Sequence, residues 1–192
     1  MPSALVKFVA VFALLLSTAV SAKGPKLFAP GNTYVYQVDD SYLFIVTLTA
    51  HSAKGYEFKW LMTNDIGKQG RVVVPKAAKD AAKKLFNYFG SGESKLTDET
   101  SVFVSTAVWK DLKAKKAVTL GLGKEDATFI DADDGGFMPV PVDSRYGDIG
   151  SVPVIVVADK AKGYSMTLLD NVDFPLIVKM DIGFKVRLLA VL

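Results

Sequence analysis

The acidic run at residues 131–136 is the stretch whose residue types come nearest to a ligand-binding site. Asp131, Asp133 and Asp134 stand close together, and two glycines follow them. Hard cations such as calcium take oxygen ligands, which carboxylates clustered on a glycine-bent loop can supply. The spacing departs from the EF-hand pattern, because a glycine takes the fifth position and a valine the twelfth. A metal site is therefore a hypothesis for this run, and a solvated acidic turn is what we expect.

The aromatic residues of the first third of the chain are a second candidate site. Side chains of one parity could line a pocket for an apolar or sugar-like ligand: Tyr34, Tyr36, Phe44, Phe58 and Trp60. They could equally form the core beneath a helix, since large aromatic side chains dominate protein cores. Ligand pockets are few per protein. We therefore expect core and keep the pocket as the alternative.

The remaining residues that could do chemistry are few. Asp98 and Glu99 form a second carboxylate pair, which capping and turn hydrogen bonds explain as well as acid–base catalysis does. His51 is the single histidine and falls in a predicted turn, where we expect it to be exposed. The sequence has no cysteine, no Gly-x-Ser-x-Gly and no Ser-x-x-Lys, so the common cues for nucleophilic catalysis and for zinc ligation are missing. These observations favour a protein without catalytic activity and predict no cofactor.

The first 22 residues predict a secretory signal peptide. Lys7 is their only charge, the apolar run Phe8–Leu16 follows, and the small and polar stretch Ser17–Ala22 suits cleavage after Ala22. The apolar run is too short for a membrane span, which needs roughly 20 residues. No cysteine follows the cleavage site to carry a lipid. We therefore expect a periplasmic or secreted protein whose mature chain has no transmembrane segment.

Composition limits the partners that the mature chain would take. The whole sequence has a formal net charge of +3, and removal of the predicted signal peptide takes away one lysine and no acid. A nucleic-acid-binding protein would carry a strongly basic field. We therefore expect no nucleic-acid partner, and residues 23–192 are long enough for one domain with its own core.

The elements that must position these residues follow from hydrophobic periodicity. Alternating residues predict strands over 34–38, 42–48, 56–62, 72–74, 117–122, 126–131, 152–159, 163–169, 175–181 and 184–192. An apolar arc over residues 76–89, closed by a glycine at position 90, predicts a helix. A second helix is predicted near residues 106–115, with Ser105 as its cap. The order of strands, helices and strands predicts an α+β domain: a curved antiparallel sheet, with a partial β-barrel as one form of it, and one or two helices packed on it.

Three segments resemble exported bacterial proteins whose function is uncharacterised. They are residues 31–36 (Gly-Asn-Thr-Tyr-Val-Tyr), residues 87–101, which hold Asn-Tyr-Phe and Leu-Thr-Asp-Glu-Thr-Ser, and residues 174–180 (Phe-Pro-Leu-Ile-Val-Lys-Met). The resemblance implies an exported bacterial protein and carries no activity or site residue with it.

Three functions therefore remain open from the sequence. The first is a binding or interaction module of the bacterial cell envelope whose partner is another protein. The second is a carrier of a small apolar ligand in an aromatic-lined cavity of the sheet. The third is a carboxylate-based hydrolase that would use Asp98 and Glu99 or the acidic run at residues 131–134.

Overall fold

The computed structural model describes residues 29–65, 67–132, 135–139 and 151–192. Strands account for 53% of the described residues and helices for 9%, so this part of the protein is mainly β with two short helices. The predicted combination of a largely antiparallel sheet with helices is confirmed, although the helical share is small. No helix among the described residues is long and apolar enough to cross a membrane.

The elements follow one another along the chain with two helices between the fourth and sixth strands. The strands are β1 (Thr33–Val38), β2 (Tyr42–Ser52), β3 (Gly55–Met62), β4 (Gln69–Pro75), β5 (Gly92–Lys95), β6 (Val118–Gly121), β7 (Asp126–Asp131), β8 (Gly136–Met138), β9 (Val152–Asp159), β10 (Tyr164–Leu169), β11 (Ile177–Asp181) and β12 (Lys185–Val191). The helices are α1 (Lys76–Ala81) and α2 (Thr106–Lys113).

All of these strands belong to one sheet that does not close into a barrel. The strand order is β5-β4-β3-β2-β1-β12-β11-β10-β9-β7-β6, and β8 pairs with β9 beside β7. Neighbours are antiparallel except β4 and β5, which run parallel because α1 and a crossover lie between them. The first and last strands, β1 and β12, pair with each other in the middle of the sheet, and β1 pairs with β2 on its other side.

The strand predictions succeed where side chains alternate. In β1 and β3 the residues of one parity are buried and their neighbours are more exposed, as a strand with one covered face requires. The sequence did not predict β5 and β8. Both are short, and β5 has the polar sequence Gly-Glu-Ser-Lys, which shows no apolar alternation. It becomes a strand because it pairs with the edge of β4.

Buried side chains form two core clusters. The aromatic cluster combines side chains of β1 to β4 with others from β9 to β12, and it contains all five aromatic residues singled out from the sequence. The aliphatic cluster lies on β6, β7 and β9 to β11, with Val108 and Leu112 of α2 packed into it. Phe184 and Val186 contact both clusters, so they mark where the two meet.

The predicted helix over residues 76–89 is wrong beyond Ala81. Helix α1 ends there, and Ala82 has extended backbone angles. The chain then forms backbone hydrogen bonds with other segments instead of with itself: the Leu85 N–H donates to the Gly121 carbonyl at 2.8 Å, and the Phe86 N–H donates to the Thr100 carbonyl at 2.7 Å. Pairing with distant segments therefore overrides a helical pattern, as tertiary context often does.

Two segments flank β5 and cross the buried face of the sheet. We call them the first strap (residues 82–91) and the second strap (residues 96–105). The Thr100 N–H donates to the Lys84 carbonyl at 2.9 Å, which ties the straps to each other. The Ile177 N–H donates to the Val102 carbonyl at 2.9 Å, which ties the second strap to β11. The second strap leads into α2, where the Ser105 hydroxyl accepts from the Val108 N–H at 3.3 Å and so confirms the predicted cap.

Candidate functional site

An apolar cavity of about 100 Å³ lies between the straps and the buried face of the sheet. Its floor comes from strands that are consecutive in the sheet, from β3 through β2, β1 and β12 to β11. The floor side chains are Tyr36, Val38, Tyr42, Phe44, Met62, Ile177, Met180, Ile182, Phe184 and Val186. Its roof comes from the two straps, with side chains Leu85, Phe86, Asn87, Phe89, Ser101 and Val102. The cavity therefore sits at the junction of the aromatic and aliphatic core clusters.

Three polar groups of the wall bond to the protein itself, while the side-chain oxygen of Asn87 is buried without a hydrogen-bond partner among the described residues. The Tyr36 hydroxyl donates to the Ile177 carbonyl at 3.0 Å, and burial raises the pKa of Tyr36 well above its usual value. The Ser101 hydroxyl donates to the Phe86 carbonyl at 2.9 Å, and the side-chain amide nitrogen of Asn87 donates to the Leu122 carbonyl at 3.1 Å. A wall built in this way presents mainly apolar surface to whatever occupies the space.

Phe89 brings the first strap into contact with the aromatic floor. Its ring centroid lies 4.6 Å from that of Phe44, 5.1 Å from that of Trp60 and 5.3 Å from that of Phe86. These separations are typical of favourable aromatic pairs, each worth roughly 0.5–1.5 kcal/mol beyond the burial of surface. Phe89 is nevertheless only partly buried, so the first strap covers this end of the cavity without sealing it.

Val102 has a strained backbone in the cavity roof. Its φ angle is +68°, in the left-handed region that a β-branched residue rarely adopts. Such a conformation costs on the order of 1–3 kcal/mol and persists only where the surroundings impose it. Here they do: the Val102 carbonyl accepts from Ile177, and the preceding residue, Ser101, is held through both of its backbone polar groups by the Tyr56 hydroxyl.

The five aromatic residues proposed from the sequence divide between core and cavity. All are buried, which confirms the interpretation of these residues as core: Tyr34, Tyr36, Phe44, Phe58 and Trp60. Tyr36 and Phe44 also face the cavity, whereas Tyr34 and Phe58 are fully buried and do not. Trp60 does not line the cavity and is connected to it through the ring of Phe89. A ligand-binding role for these residues stays a prediction.

The structure describes only one residue of the predicted metal site. Asp131 ends β7, and its carboxylate lies 3.6 Å from the ammonium group of Lys115. Asp133 and Asp134 lie outside the described residues. Among the residues that are described, no group of three or more histidine or acidic side chains could hold a metal ion. The calcium hypothesis therefore stays a prediction.

The second carboxylate pair lies away from the cavity. The Asp98 carboxylate accepts a hydrogen bond from the Lys84 ammonium group at 2.6 Å, and both side chains are exposed. This bond is the largest cause that lowers the pKa of Asp98 below its usual value. Neither Asp98 nor Glu99 lines the cavity. Asp98 is thus held as an ionised surface group beside a lysine.

His51 is not an exposed turn residue, and that prediction is wrong. It lies near the end of β2, opposite Tyr56 of β3, and is partly buried. Its ring centroid is 4.8 Å from that of Phe174 and 6.2 Å from that of Phe103. Burial is the largest cause that lowers the pKa of His51. The aromatic surroundings favour the neutral imidazole.

Sequence reasoning missed the roof of the cavity. Phe86 and Phe89 were assigned to one arc of a helix that the structure does not form. A signal was present, because three aromatic residues within residues 86–89 precede the run Gly-Ser-Gly at residues 90–92. Glycine is a poor helix former, and such a run favours a loop. The aromatic residues just before it therefore fit an irregular segment whose side chains pack on the sheet.

Comparisons with known proteins give no match for this chain. No family model fits the sequence, and no curated protein or solved structure is significantly similar to it.

Proposed function

We propose that this chain is an exported binding protein that carries a small apolar ligand in the cavity beneath the two straps. The observation that carries the proposal is the wall itself, which is mainly apolar and three of whose polar groups bond within the protein. Apolar cavities take apolar guests: an engineered cavity of about 150 Å³ lined by leucine, isoleucine and phenylalanine binds benzene. Export to the bacterial envelope is the part of the proposal that rests on the predicted signal peptide and on the resemblance to exported proteins.

The proposal includes a curved sheet that forms part of a barrel. Five consecutive strands supply the cavity floor, and the two straps face them from across the space. Curvature of the sheet would allow strands as far apart as β3 and β11 to line one small cavity, and the mouths of barrel-like sheets are common places for apolar ligands. This arrangement supports the carrier hypothesis over a flat interaction surface.

The chemistry of the cavity supports binding rather than bond cleavage. The hydroxyls of Tyr36 and Ser101 donate to backbone carbonyls, and burial keeps the Tyr36 phenol protonated. The two carboxylates of the hydrolase hypothesis, Asp98 and Glu99, do not line the cavity. Affinity in such a site would come mainly from removing apolar surface from water, at about 25 cal/mol per Å².

Toluene is the probe that tests this proposal, because it is a small apolar molecule with a single aromatic ring. The experiment titrates the ¹³C,¹⁵N-labelled mature chain with toluene and follows amide and methyl resonances by NMR. We expect saturable shifts that centre on Val38, Val102 and Val186, which line the cavity. Saturating toluene that shifts no cavity resonance, or shifts that map elsewhere, would overturn the proposal.

A pair of valine variants on β1 supplies the control. Val38 is buried and faces the cavity, whereas Val35 lies on the opposite face of the same strand. Val38→Phe fills the space, and we expect it to weaken toluene binding by about tenfold or more, a loss of roughly 1.4 kcal/mol. Val35→Phe should leave the affinity unchanged. If Val38→Phe does not fold, Val186→Phe fills the partly buried side of the same cavity.

A further inference from the structure

We infer that Phe89 sets the size of the ligand, and that its ring gives up its place between Phe44 and Trp60 to one ring of a two-ring aromatic ligand. This inference rests on the proposed function and deepens it, because it names the ligand class and the residue that selects it. The first strap is then a wall of the cavity that ligand binding displaces.

The position of the Phe89 ring supports the inference. It lines the cavity, and its centroid lies 4.6 Å from that of Phe44 in the floor and 5.1 Å from that of Trp60, which lies beside Phe44 on the buried face of the sheet. The volume that the ring occupies is therefore continuous with the cavity. Removal of the ring would extend the cavity toward Trp60.

The backbone that carries Phe89 is weakly held. Within the described part of the chain, residues 87–90 form no backbone–backbone hydrogen bond, whereas Phe86 before them is bonded to Thr100. Gly90 follows and has open space around it. Gly92 begins β5 with a φ angle of +103°, where glycine alone is comfortable. The first strap can therefore swing at residues 88–91, because Phe86 and Asn87 before them are bonded to Thr100 and Leu122, and β5 after them is paired with β4.

The chemistry of the vacated space favours an aromatic ligand. The resting cavity of about 100 Å³ is no larger than a single-ring guest requires. The place of the Phe89 ring is bounded by the rings of Phe44 and Trp60, and aromatic rings prefer offset or edge-to-face neighbours at such distances. A second ring fused to the first would replace the contacts that Phe89 gives up. An alkyl chain would not.

The test compares naphthalene with toluene on the full mature chain. In the wild-type protein we expect naphthalene to abolish the nuclear Overhauser contact between the rings of Phe89 and Trp60, and toluene to preserve it. Phe89→Ala removes the wall in advance. The cost of displacing the ring then disappears, so naphthalene should bind about tenfold more tightly while toluene gains nothing.

Tyr88→Ala is the matched control, because Tyr88 lies on the same strap with 57% of its side chain exposed and does not line the cavity. It should leave both affinities unchanged. Suppose that toluene binds the wild-type protein. If the Phe89–Trp60 contact then persists in the presence of naphthalene, or if Phe89→Ala leaves the naphthalene affinity unchanged, this inference is overturned and the proposed function stands. Failure of toluene to bind the wild-type cavity overturns the proposed function itself. Phe89→Leu serves as the variant if alanine prevents folding.

Discussion

The Tyr56 hydroxyl donates to the Ser101 carbonyl oxygen at 2.9 Å and accepts from the Ser101 backbone N–H at 3.1 Å. One side chain of β3 thus satisfies both backbone polar groups of a buried residue in the second strap. Ser101 in turn contributes to the cavity roof and precedes the strained Val102. This pair of hydrogen bonds is therefore the link that fixes the roof to the sheet.

Replacement of Tyr56 by phenylalanine should loosen that link. It removes both bonds and leaves a buried N–H and a buried carbonyl without their partner, at a cost of about 1–3 kcal/mol for an unsatisfied group. Tyr36→Phe removes one donor to one carbonyl and should cost less. Urea unfolding of the two variants measures the difference in free energy. If both variants lose the same free energy of unfolding, the pair of hydrogen bonds between Tyr56 and Ser101 does not hold the second strap.

Alkaline titration should separate the buried tyrosines from the rest. Burial is the largest cause that raises the pKa values of Tyr36 and Tyr56 above the usual value of about 10. Because the folded pKa is raised, the unfolded chain loses these protons first, so stability is full below about pH 10 and falls as the pH rises above it. Phenolate absorbance should show both residues ionising only as the protein unfolds. Ionisation of either tyrosine while the protein is still folded would contradict the burial of these two side chains.

Acid should destabilise the protein through His51. Its pKa is lowered, chiefly by burial and then by the charge of Lys79, while Asp173 acts in the opposite sense. A depressed histidine pKa means that the unfolded state binds the proton first, so stability is full above about pH 6.5 and is lost as the pH falls through the folded value. The melting temperature should therefore drop as the pH falls below about 6.5. His51→Gln should flatten this change, because the chain holds no other histidine.

The backbone of Val102 predicts an unusual tolerance of glycine. Val102→Gly removes a strain of roughly 1–3 kcal/mol and thereby offsets part of the lost apolar contact. Val104 lies two residues further along the same strap, is buried, and is not among the residues with positive φ. Val104→Gly should therefore destabilise the protein more than Val102→Gly, by about 1 kcal/mol or more. Thermal unfolding of both variants measures this, and equal losses would argue against strain at Val102.

Sequence reasoning predicted the sheet well because its signal is local. In β1, β3 and β7 alternate residues face opposite sides, so the pattern of apolar residues records which side is covered. The cap of α2 was predictable for the same reason, since Ser105 needs only the N–H of the next turn. The conformation of each of these elements is determined by residues that are close together in the sequence.

The straps could not be predicted, because their conformation is set by partners far along the chain. Phe86 pairs with Thr100 and Leu85 with Gly121, and neither partner leaves a trace in the local pattern of residues 82–91. That segment therefore resembled a helix with one apolar arc. The cavity was foreseen only as an aromatic face on the sheet, since its roof depends on the segment whose conformation was wrong.

The pairing of β1 with β12 has a consequence for how the molecule assembles. Arg187 of β12 contacts Gln37 of β1, 150 positions away, and these strands stand in the middle of the sheet rather than at its edge. The entropic cost of closing a loop grows slowly, by only about 0.6 kcal/mol for each doubling of its length. The long separation of these two strands therefore costs little stability at equilibrium. Contacts this distant nevertheless slow folding. We expect a nascent chain to remain incompletely folded until its final strand is available to join the two halves.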